Sequence, residues 1–164
     1  MKLMNSKGLL ITWLAIGMVC GACERTKEAS RTEPPPAAEA TWLTNFETAQ
    51  ARARSEKKLL LIEFTGSDWC PPCIMLGRQV FSQPEFKDYA TKHLVLLEVD
   101  FPRRKELSAE QRAANEKLAD QFGIDGFPTV IILDSSGRKI GELGYMPGGP
   151  KPFIAAVEEL RAKS

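Results

Sequence analysis

The sequence predicts one α/β domain in which helices cover both faces of a central mixed sheet. Three continuous apolar runs have the length and composition of buried strands, and segments with helical spacing separate them. A fourth, more polar strand follows the third across a turn signal and adds an antiparallel edge. The 164 residues provide one domain of ordinary size with some extra sequence, but not two full domains.

Apolar periodicity, proline positions and turn residues place the elements of the first half. In chain order we expect a helix over 42–57, a strand over 59–64, a helix from 70 toward 81, a short helix opening at 82–85 and a strand over 93–99. The second helix is placed at Cys70 because Pro71 and Pro72 suit a first turn, where their missing N–H groups remove no helical hydrogen bond.

The second half is expected to contain a helix, two strands joined by a hairpin turn, and a final helix. In order, these cover 108–122, 129–133, 139–145 and a C-terminal segment that includes 153–160. Ser108 is a suitable N-cap residue, and the segment 134–137 has the composition of a hairpin turn. We therefore assign the folded domain to residues 42–164.

Residues 1–22 predict a secretory signal peptide. They have its three parts: the basic Lys2 and Lys7, the apolar run Leu9–Val19, and the small residues Gly21 and Ala22. The run is well short of the roughly twenty residues that a permanent transmembrane helix needs. An ordinary buried N-terminal helix is the alternative. We expect an exported, periplasmic protein.

Cys23 follows Cys20-Gly21-Ala22 and resembles the lipobox cysteine of bacterial lipoproteins. That resemblance implies that Cys23 carries a lipid and anchors the protein to a membrane. Lipidation of Cys20, or cleavage near Ala22 without a lipid, are the alternatives. Residues 23–41 are rich in charge and proline, and they predict a flexible linker between the anchor and the domain.

The charge balance excludes one class of partner. The chain has 22 Lys and Arg residues against 21 Asp and Glu, so it is not a strongly basic nucleic-acid-binding protein. The basic cluster Arg103-Arg104-Lys105 is interpreted as a solvated loop, with partner docking as the alternative.

Cys70 and Cys73 form a Cys-x-x-Cys pair with three common uses. A zinc site needs four ligands, and no second such pair exists; haem attachment needs histidine where Ile74 stands. The third use is a redox dithiol, which needs no metal or cofactor. It fits the position of the pair, which follows a buried strand and stands at the start of a helix. Cys70, at the helix start, is then the attacking nucleophile, and Cys73 resolves the mixed disulfide. Trp69 is either a flat wall of the site or a core aromatic residue.

The segment Phe64–Cys73, followed by Phe127-Pro128-Thr129, resembles the thioredoxin superfamily. The resemblance covers roughly 42–162, and it is strongest to the periplasmic branch that contains the C-terminal domain of the transmembrane disulfide reductase system. It implies the thioredoxin fold, protein disulfides as substrates and a membrane thiol reductant as electron donor.

The resemblance also implies roles for individual residues. Pro128 would be cis, and the backbone of Phe127 would pair with substrate like an added strand. Gly144 would belong to the third segment of the substrate groove. Glu63 would be the buried acid that assists proton transfer to the resolving thiol. The lysine that many family members place on the next strand is replaced by leucine at 96 and 97.

These observations predict an exported thiol–disulfide oxidoreductase that reduces protein disulfides. Three alternatives remain open: an oxidase or isomerase, a reductant for cytochrome c maturation, and a non-catalytic binding module with the same fold. Because the chain is nearly neutral, we expect the apolar rim of Trp69, Phe127 and Pro128 to select substrates.

Overall fold

The computed structural model describes residues 40–163. The predicted signal peptide, the lipidation site at Cys23 and nearly all of the predicted linker lie outside these residues, and those assignments stay predictions. No helix within 40–163 has the length and apolar character needed to cross a membrane.

Five strands and five α-helices form the described domain, with one turn of π-helix after the second helix. In chain order they are β1 (Trp42–Leu43), α1 (Phe46–Glu56), β2 (Leu59–Thr65), α2 (Pro71–Leu76), the π-helical segment (Gly77–Phe81), α3 (Pro84–His93), β3 (Leu94–Asp100), α4 (Ala109–Phe122), β4 (Thr129–Leu133), β5 (Lys139–Leu143) and α5 (Pro150–Ala162).

The strands form one mixed sheet in the order β1-β3-β2-β4-β5. β2 is central; it runs parallel to β3 and antiparallel to β4. β1 is a parallel edge strand, and β5 pairs antiparallel with β4 at the other edge. The predicted mixed sheet with helices on both faces is therefore confirmed.

Two hydrophobic clusters pack against opposite faces of this sheet. Alternation along β2 sends Leu61 to the face covered by α2, the π-helical segment, α3 and α5, and sends Ile62 to the face covered by α1 and α4. Each face is thus a separate half of the core, and the helix that carries the cysteine pair belongs to the first.

Three predicted boundaries are wrong, and one predicted helix reaches its expected end in π-helical form. Residues 42–43 join the sheet edge instead of opening a helix, since α1 begins after Asn45, whose side chain accepts the N–H of Thr48 at 2.8 Å. The helix expected to run from 70 toward 81 widens into a π-turn at Gly77. His93 ends α3 instead of starting β3, and β5 stops at Leu143.

Candidate redox site

The cysteine pair lies at the junction between the loop after β2 and helix α2. Cys70 is the N-cap residue of α2 and Cys73 lies in its first turn; they form a disulfide with 5.3 Å between the Cα atoms. Both residues are buried, with 4% and 3% of their surface exposed. The two cysteines are therefore almost equally buried, and their positions in the helix are what distinguishes them.

Pro71 and Pro72 change the first turn of α2. An N-cap side chain ordinarily accepts a hydrogen bond from the backbone N–H of the second or third helical residue. Pro72 occupies the second position and has no N–H, so the N–H of Cys73 is the remaining donor of that kind. The sulfur of Cys70 accepts no capping hydrogen bond in this oxidised form.

The segment of Phe127 and Pro128 lies between the cysteine loop, through the contact of Phe127 with Trp69, and Gly144. The peptide bond between Phe127 and Pro128 is cis, as the family resemblance implied, and Thr129 begins β4 opposite Phe64 near the end of β2. A β-carbon added at Gly144 would lie 3.7 Å from the carbonyl oxygen of Pro128. The predicted residues Cys70, Pro128 and Gly144 therefore lie on three adjoining segments.

Trp69 links the cysteine loop to its neighbours. Its indole Nε1 donates a hydrogen bond to the carbonyl oxygen of Phe101 at 2.7 Å, and its ring meets Phe127 edge-on with centroids 6.0 Å apart. A β-carbon at Gly66 would lie 2.5 Å from the indole, so glycine is what allows the ring to lie there. Trp69 is half-buried, so it does not fill the core, and its role as a wall of the site stays a prediction.

Two aspartates join the cysteine loop to the loop after β3. The carboxylate of Asp68 accepts the backbone N–H groups of Arg103 at 3.0 Å and Arg104 at 2.7 Å, which hold its pKa below the usual range. Asp100 accepts the backbone N–H and the hydroxyl of Ser67 at 2.9 and 2.6 Å. The position of the cysteine loop thus depends on contacts about 33 residues away along the chain.

The rim of the site is less apolar than the sequence predicts. The guanidinium of Arg103 stacks on Trp69, with Cζ 3.7 Å from the ring centroid. Because that cation covers one face of the indole, the expectation that an apolar rim alone selects substrates needs correction. Segment 103–105 is exposed, as predicted, but its backbone is fixed against the cysteine loop by Asp68.

Glu63 is a buried carboxyl group in β2, with 5% of its surface exposed. Strand alternation puts it on the same sheet face as Leu61, which packs with Leu76 of α2. Burial, and after it the charge of Glu98, raises the pKa of Glu63 from 4.5 to about 8, although a hydrogen bond with Thr65 opposes the shift. Glu63 is therefore protonated in most molecules at neutral pH.

A second carboxyl group lies beside Glu63. Glu98 is its register partner on β3, and Asp100 follows on the same face. Burial first, and then the charge of Asp100, raises the pKa of Glu98. From the sequence, leucine residues 96 and 97 were expected where many family members have a lysine on this strand. The residue paired with Glu63 is instead Glu98, because β3 begins at Leu94, opposite Leu59.

Sequence reasoning missed Asp68, Glu98 and Arg103 as parts of this site. A signal existed for Glu98, because charged residues at 98 and 100 interrupt an apolar strand with a period of two. Asp68 and Arg103 had no such signal, since their contacts join two loops that are distant in sequence. Among residues 40–163, no three His, Cys, Asp or Glu side chains are arranged to hold a metal ion.

The fold and the cysteine pair define the class of the protein, which is that of the thiol–disulfide oxidoreductases. A family model described as a thioredoxin-like domain matches residues 46–160, and the chain belongs to that family. The predicted thioredoxin fold is thereby confirmed.

This chain is similar to several bacterial proteins. The disulfide bond reductase DsbH of Chlamydia pneumoniae is 32% identical over 148 residues, which cover 88% of this chain and 89% of the relative. A solved structure of DsbH oxidoreductase matches with a TM-score of 0.71 at 33% identity, covering 82% of this chain and 92% of that one. The oxidised C-terminal domain of DsbD from Neisseria meningitidis shares the fold, with a TM-score of 0.52 at 18% identity over 69% and 90% of the two chains.

Proposed function

We propose that this protein is an exported reductase of protein disulfides. The observation that carries the proposal is the Cys70–Cys73 disulfide at the start of α2, in a loop whose Trp69 contacts Phe127 beside the cis Pro128. The similarity to DsbH, which is named a disulfide bond reductase, supports the reducing direction.

The reaction uses the two cysteines in sequence. The thiolate of Cys70 attacks a substrate disulfide, so that a Cys70–substrate bond forms and the first substrate thiolate leaves. In the minority of molecules in which Glu63 is ionised, Cys73 gives its proton to that carboxylate and attacks the sulfur of Cys70, which releases the second substrate thiolate. Two electrons pass from the enzyme to the substrate, and protons from solvent and Glu63 complete the product thiols. Trp69 and the backbone of Phe127 hold the substrate segment.

One feature beside the dithiol favours reduction over oxidation. A dithiol is strongly oxidising when its reduced form is stabilised. Here Pro72 removes a donor that would stabilise the Cys70 thiolate. The thiolate is therefore less stabilised, which makes the dithiol a better electron donor.

The cellular setting follows from the N-terminal sequence. The signal-like residues 1–22 and the lipobox-like Cys23 support export to the periplasm and a lipid anchor, with residues 23–41 as the linker. A membrane thiol reductant would then return the Cys70–Cys73 disulfide to the dithiol after each cycle.

The reduction potential tests the proposed direction. Equilibration of the purified domain with dithiothreitol mixtures should give a value near the roughly −270 mV of thioredoxin. Catalysed reduction of insulin should accompany it. A value near −120 mV, which is typical of a strong disulfide oxidant, would contradict the reductase assignment.

Substitution of Pro72 tests the role of the missing donor. Pro72→Ala restores the N–H of the second helical residue, which can donate to the Cys70 thiolate. A hydrogen bond to a charged group contributes about 1.5–3 kcal/mol, and about 1.4 kcal/mol corresponds to 30 mV, so the potential should rise by roughly 30–60 mV. Pro71→Ala is the matched control, because the first N–H of a helix does not reach the N-cap side chain. Equal shifts in both variants would contradict this explanation.

A further inference from the structure

The basic segment Arg103-Arg104-Lys105 lies beside the cysteine loop because its backbone is anchored there. Asp68, two residues before Cys70, accepts the N–H groups of Arg103 and Arg104. The hydrogen bond from Trp69 to the carbonyl oxygen of Phe101 fixes the start of the same loop. Charges on this loop are therefore held at the rim of the redox site.

The guanidinium of Arg103 is oriented and without an acidic partner. Its Cζ lies over the Trp69 ring, 3.7 Å from the centroid, and its N–H donors make no hydrogen bond or ion pair within residues 40–163, so they can bind a carboxylate in the bidentate geometry that arginine favours. Ion pairs within residues 40–163 do not include Arg103 or Arg104.

The carboxylates of Asp68 and Asp100, which join the two loops, already accept hydrogen bonds from other groups. Asp68 accepts the two backbone N–H groups, and Asp100 accepts Ser67 with Lys105 4.0 Å away. Glu106 directly follows Lys105 in the sequence, and its side chain is exposed to solvent. An incoming anion is therefore the available partner for the Arg103 guanidinium.

We propose that Arg103 is a specificity-determining residue that selects substrate segments with a carboxylate side chain next to the reactive cysteine. The inference rests on the proposed disulfide reductase activity. Trp69 directly precedes Cys70, so an anion bound over Trp69 would belong to a residue adjacent to the substrate cysteine that Cys70 attacks. The partner of this surface is an acidic peptide segment.

Two model peptides test the proposal. In Gly-Glu-Cys-Glu-Gly and Gly-Lys-Cys-Lys-Gly, the cysteine is joined to 2-thiopyridine as a mixed disulfide. Reduced enzyme attacks the peptide sulfur and releases 2-thiopyridone; Cys73 then displaces the peptide thiol, and the enzyme ends with the Cys70–Cys73 disulfide. Rates of thiopyridone release are divided by the rates with dithiothreitol, which removes the intrinsic difference between the peptides.

The wild-type enzyme should react about fivefold faster with the glutamate peptide, and 0.5 M salt should remove most of that preference. Arg103→Gln should abolish it. Arg54→Gln, which removes the same charge from an exposed site in the last turn of α1, should retain it. Thermal unfolding of both variants confirms that they fold.

The outcomes separate the two proposals. If Arg103→Gln keeps the wild-type preference, or if the wild-type enzyme reacts equally with both peptides, the selective role of Arg103 is wrong while the reductase activity stands. If neither peptide reacts with the reduced wild-type enzyme, the proposed function is wrong, and the selective role fails with it.

Discussion

Replacing Glu63 with glutamine should remove most of the fall in folding stability expected of the wild-type protein between pH 4.5 and pH 8. In the unfolded chain the pKa of Glu63 is near 4.5, whereas burial beside Glu98 raises its pKa to about 8 in the folded protein. Between these values the folded state binds more protons than the unfolded state. Stability therefore declines as pH rises, by about 1.4 kcal/mol per pH unit, and the loss is complete above pH 8.

The difference between the two proteins should grow with pH. Relative to the difference at pH 4, Glu63→Gln should gain about 3 kcal/mol over the wild type at pH 7. Urea unfolding at a series of pH values measures this, with the Cys70–Cys73 disulfide kept oxidised so that no thiol titrates.

Two further variants make the test specific. Glu116→Gln removes an exposed carboxylate on α4 and should follow the wild-type pH dependence. Glu98→Gln removes the neighbouring charge, which should lower the pKa of Glu63 in the folded protein below 8. Burial should still keep that pKa above 4.5, so stability should stop falling at a lower pH than in the wild type. If the wild type and Glu63→Gln show parallel pH dependence, the raised pKa of Glu63 is wrong.

The sequence predicted those parts of the fold that depend on local patterns. The strands at Leu59 and Thr129 are apolar runs bounded by turn residues, and each begins where the pattern places it. Ser108 caps α4 by accepting the N–H of Gln111 at 3.1 Å. In these cases the residues that fix the boundary lie within one turn of it, so a short window contains the necessary information.

The parts that the sequence did not predict depend on contacts across the sheet or between loops. Trp42 has the apolar character of a helix position, but its pairing with Leu96 on β3 makes it an edge strand. Arg103 became part of the site because Asp68 binds its backbone from a loop 35 residues earlier. Such pairings depend on register and loop closure, which hydrophobic periodicity does not encode.

The division of work between the cysteines can be tested by removing each in turn. Because Cys70 and Cys73 are almost equally buried, exposure does not decide which one attacks the substrate. Cys70 precedes the helix as its N-cap, whereas Cys73 lies within the first turn, on the helix that covers the sheet face of Glu63. We expect Cys70 to attack and Cys73 to need a proton acceptor before it can resolve.

Cys73→Ala should therefore form a stable mixed disulfide with insulin, visible as a thiol-sensitive band on a non-reducing gel, and Cys70→Ala should not. Catalysed insulin reduction should fall by about a thousandfold or more in both variants, because each step needs its own sulfur. The adduct is the discriminating result, since loss of turnover alone does not tell attack from resolution. An adduct with Cys70→Ala and none with Cys73→Ala would reverse the two roles, and with them the argument that position at the start of α2 selects the nucleophile.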